Sequence, residues 1–447
     1  MRGISFDRYK VVLDRARIAN PSLERILSSV VWLAADKLRY AVAFLIGAWT
    51  ARYLGPEGYG TLNYALAIIA LLTVVTDFGL ESVTVRNLVR DSRRSQELLG
   101  TVAAIRLGSA VLCYLLIVSL PLLFGWTGQA KTLLLILGLS LIGQPALSVR
   151  CWFSAELASK AIFAANSIAF ALSAIARISL IVCQRPIIEF AVVSACEVGL
   201  VATYLVWRYH ARGFSVFEWQ FSLSLAKQLI RECWPLVLSG FAVIVYMRID
   251  QIMLEKMVGT REVGMYSAAI KFSELWYLIP GVLAASLFPS IVRTRSRSET
   301  QYTTRLQQYL NLSSGLAYAC IIAGTIGAPT LVRLCFGDQF RTAEAILMVH
   351  LWASVFVFQG MAREQFLVSE GLLKFSFAAT ACGALINVLL NFLLIPLWSG
   401  VGAAIATVVS YALSAFLSSF TTKSTRDFGM MQLRSLLMPF ASPKLRN

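Results

Sequence analysis

The sequence predicts an all-α integral membrane protein of about twelve transmembrane helices, arranged as two parallel six-helix repeats. Its composition is 57% hydrophobic and only 14% charged, whereas soluble domains average nearer half apolar and about a quarter charged. Apolar runs long enough to cross a bilayer recur along the whole chain. Two short segments are also written twice, each time between corresponding runs. Together these observations indicate a polytopic, internally duplicated chain.

The apolar runs set the predicted spans, because a helix needs about 20 apolar residues to cross the hydrocarbon core. They lie at 27–50, 62–84, 100–122, 131–149, 161–183, 186–207, 232–254, 264–291, 307–328, 343–361, 374–397 and 400–421. The longest segments between them are short and basic. The chain therefore has no room for a catalytic domain outside the membrane.

The spans divide the chain into two lobes with polar segments around them. Residues 1–26 form a cytoplasmic leader, either solvated or lying as a helix in the membrane interface. Residues 27–210 form the N-terminal six-helix lobe, and 211–231 form a cytoplasmic linker. Residues 232–421 form the C-terminal lobe, and 422–447 form a basic cytoplasmic tail.

The net charge of +16 is explained by topology. About two thirds of the 40 Lys and Arg fall in segments on the same side as the two termini, which is the positive-inside bias. Both termini are therefore predicted to be cytoplasmic, where basic clusters also suit anionic lipids. Nucleic-acid binding is not expected, because no basic stripe with interleaved aromatic residues occurs outside the spans. With two histidines and no CxxC pair, neither a metal nor a cofactor is expected.

Two windows carry the duplication, at offsets of 204 and 214 residues. Residues 53–65 align with 257–269, which pairs Gly55 with Gly259, Gly60 with Gly264 and Ala65 with Ala269. Residues 153–165 align with 367–379, which pairs Glu156, Lys160, Phe163, Ala164 and Ala165 with Glu370, Lys374, Phe377, Ala378 and Ala379. Each half contains an even number of spans, so both enter the membrane from the same side and are parallel repeats.

The first duplicated segment, RYLGPEGYG from Arg52, predicts a sharp reversal between two spans. Gly55, Gly58 and Gly60 are expected to permit positive φ, and Pro56 to pre-set the turn. The glycines are therefore predicted to serve a structural turn.

Three segments resemble a known family. They are RYLGPEGYGTLNYALA from Arg52, RIDQIMLEKMVGTREVGMYSAA at 248–269 and INVLLNFLLIPLWSGVGAAIATVVSYALSA at 386–415. The last contains Asn387, Asn391, Gly400, Gly402, Ala403, Ala404, Ala406 and Thr407. These segments resemble the polysaccharide-biosynthesis or O-antigen (Wzx-type) flippases of the multidrug/oligosaccharidyl-lipid/polysaccharide exporter superfamily.

The resemblance implies a MATE-like V-shaped pair of helix bundles that works by alternating access. It implies that a polyprenyl-diphosphate-linked oligosaccharide moves from the cytoplasmic to the outer leaflet of the bacterial inner membrane. The product would feed O-antigen, capsule or exopolysaccharide assembly, with a polysaccharide polymerase or export machinery as partner. The predicted twelve spans depart from the fourteen of the lipid II flippase type, which argues against lipid II as substrate.

Cations inside the predicted spans suit an anionic substrate. A charged residue in a span costs about 2.5–3.5 kcal/mol on insertion scales, so it faces a cavity or a partner. The candidates for binding the diphosphate and glycan are Arg39, Arg177, Arg248 and Lys271. The alternative is local pairing, of Asp36 with Arg39 and of Lys271 with Glu274. Asp77 and Arg106 lie close enough to an interface to snorkel.

Carboxylates inside the spans are candidates for a coupling ion. Asp36, Asp250 and Glu274 are the residues concerned. A buried acid can load and release a proton as access alternates. The sequence does not separate proton coupling from sodium coupling, or either of them from transport without a coupling ion.

Two other functions are open. A cation-coupled multidrug exporter of the same superfamily would be expected to favour carboxylates over arginines in its cavity. A membrane glycan polymerase or glycosyltransferase would need a sizeable external loop with catalytic carboxylates, and the longest loops here are basic and predicted to be cytoplasmic. The chain is therefore predicted not to be an enzyme.

Overall fold

The computed structural model describes residues 21–124, 128–295 and 298–437, with side chains from residue 39 onward except 120–127. Two compact units are distinguished, Met1–Gly47 and Ala48–Asn447. All contacts below lie within one or the other.

The described residues form α-helices and short 3-10 turns, and no strand. The helices are α1 Pro21–Asp77, α2 Leu80–Arg90, α3 Ser95–Phe124, α4 Gln129–Ile142, α5 Val149–Ala155, α6 Ser159–Val182, α7 Ile187–His210, α8 Leu223–Met257, α9 Thr260–Trp276, α10 Leu278–Arg295, α11 Glu299–Phe336, α12 Ala343–His350, α13 Ala353–Ser369, α14 Leu373–Ala415 and α15 Lys423–Leu437. The predicted all-α fold is confirmed.

Ten helical stretches of the described residues are long and apolar enough to cross a membrane. Two of them, Arg39–Arg90 and Leu373–Phe420, each overlap two of the predicted spans. The chain is a multi-pass membrane protein. The count of twelve depends on each of these two stretches crossing twice, and it stays a prediction.

Each long stretch contains one helix with a sharp bend inside it. Helix α1 bends at Gly55, with φ 69° and ψ 172°, and α14 bends at Ser399, with φ 50° and ψ −130°. A positive φ costs glycine little because it has no Cβ, and Pro56 follows directly. The predicted turn is therefore made at Gly55. Gly58 and Gly60 lie in the helix without the positive φ predicted for them, so that part of the prediction is wrong.

The two aligned windows share their unusual backbone positions. Gly55 and Gly259, which are aligned, have φ values of 69° and 120°. Leu157 and Gly371, also aligned, have φ values of 53° and 70°. These matched turns favour the twofold repeat, which stays a prediction for the chain as a whole.

Large apolar side chains cover the outside of the helices. Leu112, Ile175 and Leu397 expose 67%, 62% and 68% of their surface. Contiguous apolar surface of this kind is rare on soluble monomers, but it is what a lipid environment requires. The exposed faces therefore match the hydrocarbon core of a bilayer.

The predicted linker lies against the N-terminal half of the chain. The Gln220 N–H donates to the Gln96 carbonyl at 3.2 Å, and the Ser222 N–H donates to Thr101 Oγ1 at 3.1 Å. A Cβ on Gly100 would lie 2.4 Å from the Gln220 carbonyl oxygen, so only glycine allows this approach. The linker is thus bonded to α3 before α8 begins.

The segment predicted as a basic cytoplasmic tail, 422–447, contains a packed helix, α15. Phe428 is buried on it and stacks on Phe366 of α13, with ring centroids 4.4 Å apart. The buried Gln432 donates from Nε2 to the Ala415 carbonyl at the end of α14, at 3.0 Å. Basic residues lie on the exposed side of α15, and the cytoplasmic location of this segment stays a prediction.

Replacing Phe428 with alanine should destabilise the C-terminal half by about 3–5 kcal/mol, because it removes a buried ring and leaves a cavity. The midpoint of thermal unfolding in detergent measures this loss. Met430→Ala is the matched control, since Met430 is 41% exposed on the same helix. Equal midpoints for the two variants would show that α15 does not pack as described.

Candidate functional site

One carboxylate, Asp250, is buried toward the end of α8 and is only 2% exposed. The Tyr266 hydroxyl of α9 and the Thr407 hydroxyl of α14 donate to its Oδ2, at 2.5 and 2.7 Å. The Asn391 amide of α14 donates to its Oδ1 at 2.5 Å. These donors compensate a group that would otherwise be costly to bury.

A second layer of amides lies behind this carboxylate. Asn391 Nδ2 also donates to Asn387 Oδ1 at 3.1 Å, and Asn387 Nδ2 donates to Ser410 Oγ at 3.3 Å. Asn391 Oδ1 is buried and has no hydrogen-bond partner in the described part of the chain. The Asp250 cluster consists of Asp250, Tyr266, Asn387, Asn391 and Thr407.

The bend of α14 at Ser399 creates this cluster. It folds the helix back, so that Asn391 before the bend and Thr407 after it reach the same carboxylate. In the sequence these residues appeared only as motif positions. Two amides spaced four apart in an apolar span share one face and are costly to bury unless bonded, which is the signal that could have identified them.

The Asp250 cluster offers only oxygen ligands to a cation. The carboxylate, the unpartnered Asn391 Oδ1 and the Thr407 hydroxyl lie on three helical segments that converge. Oxygen sets of this kind suit hard cations rather than soft transition metals. The arrangement can hold a proton on the carboxyl group or a small monovalent cation beside it.

A second charged group lies on α8 and α9. Arg248 Nη1 and Glu274 Oε1 are 3.6 Å apart, and both side chains are 30% exposed. Lys271 Nζ lies 5.9 Å from the ring centroid of Tyr59, which belongs to the N-terminal half. Lys271 and Glu274 are three residues apart, so this face of α9 is turned toward the N-terminal half. The predicted local pair of Lys271 with Glu274 is replaced by the pair of Glu274 with Arg248.

Arg177 has its partners within the N-terminal half. Its Nη2 donates to Glu197 Oε2 at 3.0 Å and to Ser194 Oγ at 3.3 Å, and both residues lie on α7. Its charge is therefore matched by a neighbouring carboxylate. A chamber shared by Arg177 and the α8–α9 charges stays a prediction.

Arg39 belongs to the unit Met1–Gly47, where its guanidinium lies 4.8 Å over the ring centroid of Tyr40. The Asp36 side chain lies outside the described side chains. The predicted roles of both residues therefore stay predictions.

Asp77 and Arg106 form a pair rather than snorkelling separately. Arg106 is 3% exposed, contacts Asp77 and donates from Nη1 to Ser148 Oγ at 3.2 Å. A buried cation with a carboxylate partner holds α1 and α3 together, and breaking such a pair is strongly destabilising. This pair is structural.

The duplicated glycines bring the two halves of the chain into direct contact. A Cβ on Gly60 would lie 1.8 Å from the Thr260 carbonyl oxygen, and a Cβ on Gly264 would lie 2.0 Å from the Pro56 carbonyl oxygen. These four residues are called the glycine contact below. Beside it, Gln339 Nε2 donates to a carbonyl of the other half at 2.7 Å. The halves therefore touch backbone to backbone at the end that the charge pattern predicts to face outside.

Two family models match the chain. The model described as polysaccharide biosynthesis protein matches residues 27–295, and the model described as MatE matches residues 235–393. The first match covers more than half of the chain.

Two curated relatives come from Haloferax volcanii. The probable flippase AglR is 30% identical over 185 residues, which is 39% of this chain and 37% of that protein. The probable low-salt glycan biosynthesis flippase Agl15 is 24% identical over 265 residues, which is 54% of this chain and 55% of that protein. The chain thus spans about half or less of the length of these relatives.

Solved structures share the fold. The lipid II flippase MurJ in an inward closed conformation superposes with a TM-score of 0.73 at 14% identity, over 92% of each chain. An inward-facing multidrug resistance MATE family transporter superposes with a TM-score of 0.67 at 16% identity, over 91% of this chain and 96% of that one. The described helices therefore adopt the fold of these transporters.

Proposed function

Because this chain belongs to the polysaccharide biosynthesis protein family, we propose that it is a flippase for a polyprenyl-diphosphate-linked oligosaccharide. It moves this lipid from the cytoplasmic to the outer leaflet of the bacterial inner membrane by alternating access, with both termini in the cytoplasm. The glycan serves O-antigen, capsule or exopolysaccharide assembly, in which a polysaccharide polymerase or export machinery takes it up. The similarity to proteins named as glycan flippases supports this substrate class.

The observation that carries the proposal is the charged face of α9. Lys271 and Glu274 lie roughly 15–20 Å along this helix from its start, a depth at which a charge facing lipid is costly. They are turned toward the N-terminal half, where Lys271 contacts Tyr59. A cation at this position can accompany a diphosphate while it is out of water.

The glycine contact supplies the outer closure that alternating access requires. It joins two backbones without an ion pair between them, so separating the halves there breaks few strong bonds. Release of the glycan on the outside then requires this contact to part, while the cytoplasmic ends approach each other.

The Asp250 cluster is the site we propose for the coupling ion, with Na⁺ as the ion. Asn391 Nδ2 now donates to Asp250, and a half-turn of its amide would present the unpartnered Oδ1 instead. Asn391 thereby donates to Asp250 when no cation is bound and offers an oxygen ligand when one is. Arg248 lies two residues from Asp250 on α8. A movement of α8 when Na⁺ binds at the Asp250 cluster would therefore also move Arg248 and its pair with Glu274. Glu274 is already engaged with Arg248, which makes it the weaker coupling candidate.

A strain lacking this protein should lose surface glycan and accumulate lipid-linked repeat units, which mass spectrometry of the lipid extract measures. Wild-type protein should restore the glycan. Lys271→Gln should lower restoration by about tenfold or more, because a charge-assisted bond to the diphosphate is lost. Lys227→Gln is the matched control, since Lys227 is exposed near the start of α8.

Unchanged surface glycan in the deletion strain would contradict the proposed function. Full restoration by well-expressed Lys271→Gln would remove Lys271 from the substrate path and leave the function standing.

A cation-coupled drug exporter is the second candidate, favoured by the buried carboxylate of the Asp250 cluster and by the similarity to MATE structures. It predicts that the deletion strain accumulates cationic dyes such as ethidium. The flippase proposal predicts normal dye accumulation together with the loss of glycan.

A further inference from the structure

Three tyrosines lie beside the charged pair Arg248–Glu274. The rings of Tyr246 on α8 and Tyr411 on α14 stack with centroids 4.4 Å apart and planes inclined by 20°. Tyr277, at the end of α9, is close enough to Tyr246 and Glu274 to interact with them electrostatically. All these side chains are half-buried, and so each presents part of its surface.

Hydrogen-bonding capacity is left over in this group. The Tyr277 hydroxyl has no hydrogen-bond partner in the described part of the chain, and it is shielded from solvent, so a ligand reaches it only when the helices around it move apart. Arg248 and Glu274 are 3.6 Å apart, which is longer than a hydrogen bond, so neither uses up the other's donors or acceptors. A ligand with hydroxyl groups would find both donors and acceptors there.

The charged face of α9 beside this group is turned toward the N-terminal half. Lys271 and Glu274 are three residues apart on one face of α9, and Lys271 contacts Tyr59 of the N-terminal half. Tyr277 follows directly after the last residue of α9. A ligand carried between the halves passes this side of the helix.

The chemistry fits a sugar ring better than a phosphate. A hydroxyl both donates and accepts, so one placed between a guanidinium, which only donates, and a carboxylate, which only accepts, satisfies both. The C–H face of a pyranose also packs on aromatic rings. A phosphate at Arg248 would instead meet the negative charge of Glu274. Lys271, one turn away, has no carboxylate within 4 Å among the described residues and is the better phosphate partner.

We propose that Arg248, Glu274 and Tyr277 bind a sugar ring of the lipid-linked glycan, with the Tyr246–Tyr411 stack as the wall behind them. This subsite rests on the proposed flippase function and adds to it separate binding sites for the two parts of the substrate. Lys271 takes the diphosphate, and the tyrosine and arginine–glutamate group takes the glycan.

Two probes separate the sugar from the lipid diphosphate: farnesyl diphosphate, and the same molecule linked to N-acetylglucosamine. Their affinities for the full-length protein in detergent give a ratio that reports the sugar together with the one phosphate charge that the linkage removes. The change of this ratio between variants reports the sugar contacts. Wild type should bind the sugar-bearing probe more tightly. Tyr277→Phe should reduce the ratio by about three- to tenfold and leave the affinity for farnesyl diphosphate unchanged, because only one hydroxyl is lost.

Glu274→Gln should change the affinity ratio and the affinity for farnesyl diphosphate in opposite directions. It should lower the ratio yet raise the affinity for farnesyl diphosphate, because Arg248 no longer faces a competing negative charge. Tyr114→Phe, a half-buried tyrosine on α3, is the control and should change neither affinity.

Equal affinity of wild type for the two probes would overturn the subsite and leave the flippase proposal standing. A Tyr277→Phe or Glu274→Gln variant that shifts both probes by the same factor would also overturn it. Binding of neither probe by wild type would overturn the subsite and the proposed function together.

Discussion

Asp250→Asn should abolish ion-driven transport and leave the protein folded. The substitution removes the only negative charge of the Asp250 cluster while keeping its shape. We expect cation affinity to fall by at least about a hundredfold, the upper end of the loss when even an outer partner of a ligand is removed.

The fold should survive because the cluster can rearrange its hydrogen bonds. Tyr266 and Thr407 can still donate to the amide oxygen of the new asparagine. Asn391 can turn its amide so that its unpartnered Oδ1 accepts from the new NH₂ group. Turning the amide breaks the hydrogen bond from Asn391 Nδ2 to Asn387 Oδ1. The expected loss of unfolding free energy is therefore about 1–3 kcal/mol, which leaves the protein folded.

Thermal unfolding in NaCl and in KCl of equal concentration measures the site directly. A bound ligand stabilises the folded state by about 2.7 kcal/mol at one hundred times its dissociation constant. Wild type and Thr407→Ser, which keeps the hydroxyl, should unfold at higher temperature in NaCl. Asp250→Asn should show no difference between the salts.

Two results would change this assignment. Wild-type transport by a well-folded Asp250→Asn variant would remove the cluster from coupling. If the wild-type unfolding temperature is the same in NaCl and in KCl and transport is driven by a pH gradient, the Asp250 carboxyl group binds a proton instead.

Gly60→Ala and Gly264→Ala should each force the outer ends of the two halves apart. The added Cβ would lie about 2 Å from a carbonyl oxygen of the opposite backbone, and a backbone cannot rotate away as a side chain can. Overpacking costs about 1–3 kcal/mol, which corresponds to a shift of about 5–150-fold in the equilibrium between the closed and open outer end. Transport should fall by a similar factor, because the outer end no longer closes.

Thiol labelling from outside measures the opening. In a background without native cysteines, Thr61→Cys is a suitable reporter because Thr61 is only 8% exposed. A membrane-impermeant maleimide should label it faster when Gly60 or Gly264 is alanine. Gly315→Ala is the control, since a Cβ there meets nothing within 4 Å. Unchanged labelling and transport in both glycine variants would show that the halves do not touch through these residues.

Features that depend on local physics were predictable from the sequence. Apolar runs of helical length indicated a multi-pass α-helical protein, because backbone groups inside a bilayer must bond within their own segment. Gly55 followed by Pro56 marked a bend, because few other residues adopt that backbone conformation. The spacing of Lys271 and Glu274 placed both on one helix face.

The sequence by itself thus determined the class of protein, the positions of the apolar segments and the residues that are costly to bury. Only the tertiary structure decided which helix faces meet. The hydrogen bond between Asp250 and Asn391 joins residues 141 positions apart, and Glu274 pairs with Arg248 rather than with its helix neighbour Lys271. Helical periodicity fixes which side chains share a face, but a partner across space depends on how separate helices pack and bend. For that reason the cluster around Asp250 and the contact at Gly60 and Gly264 become visible only in the folded chain.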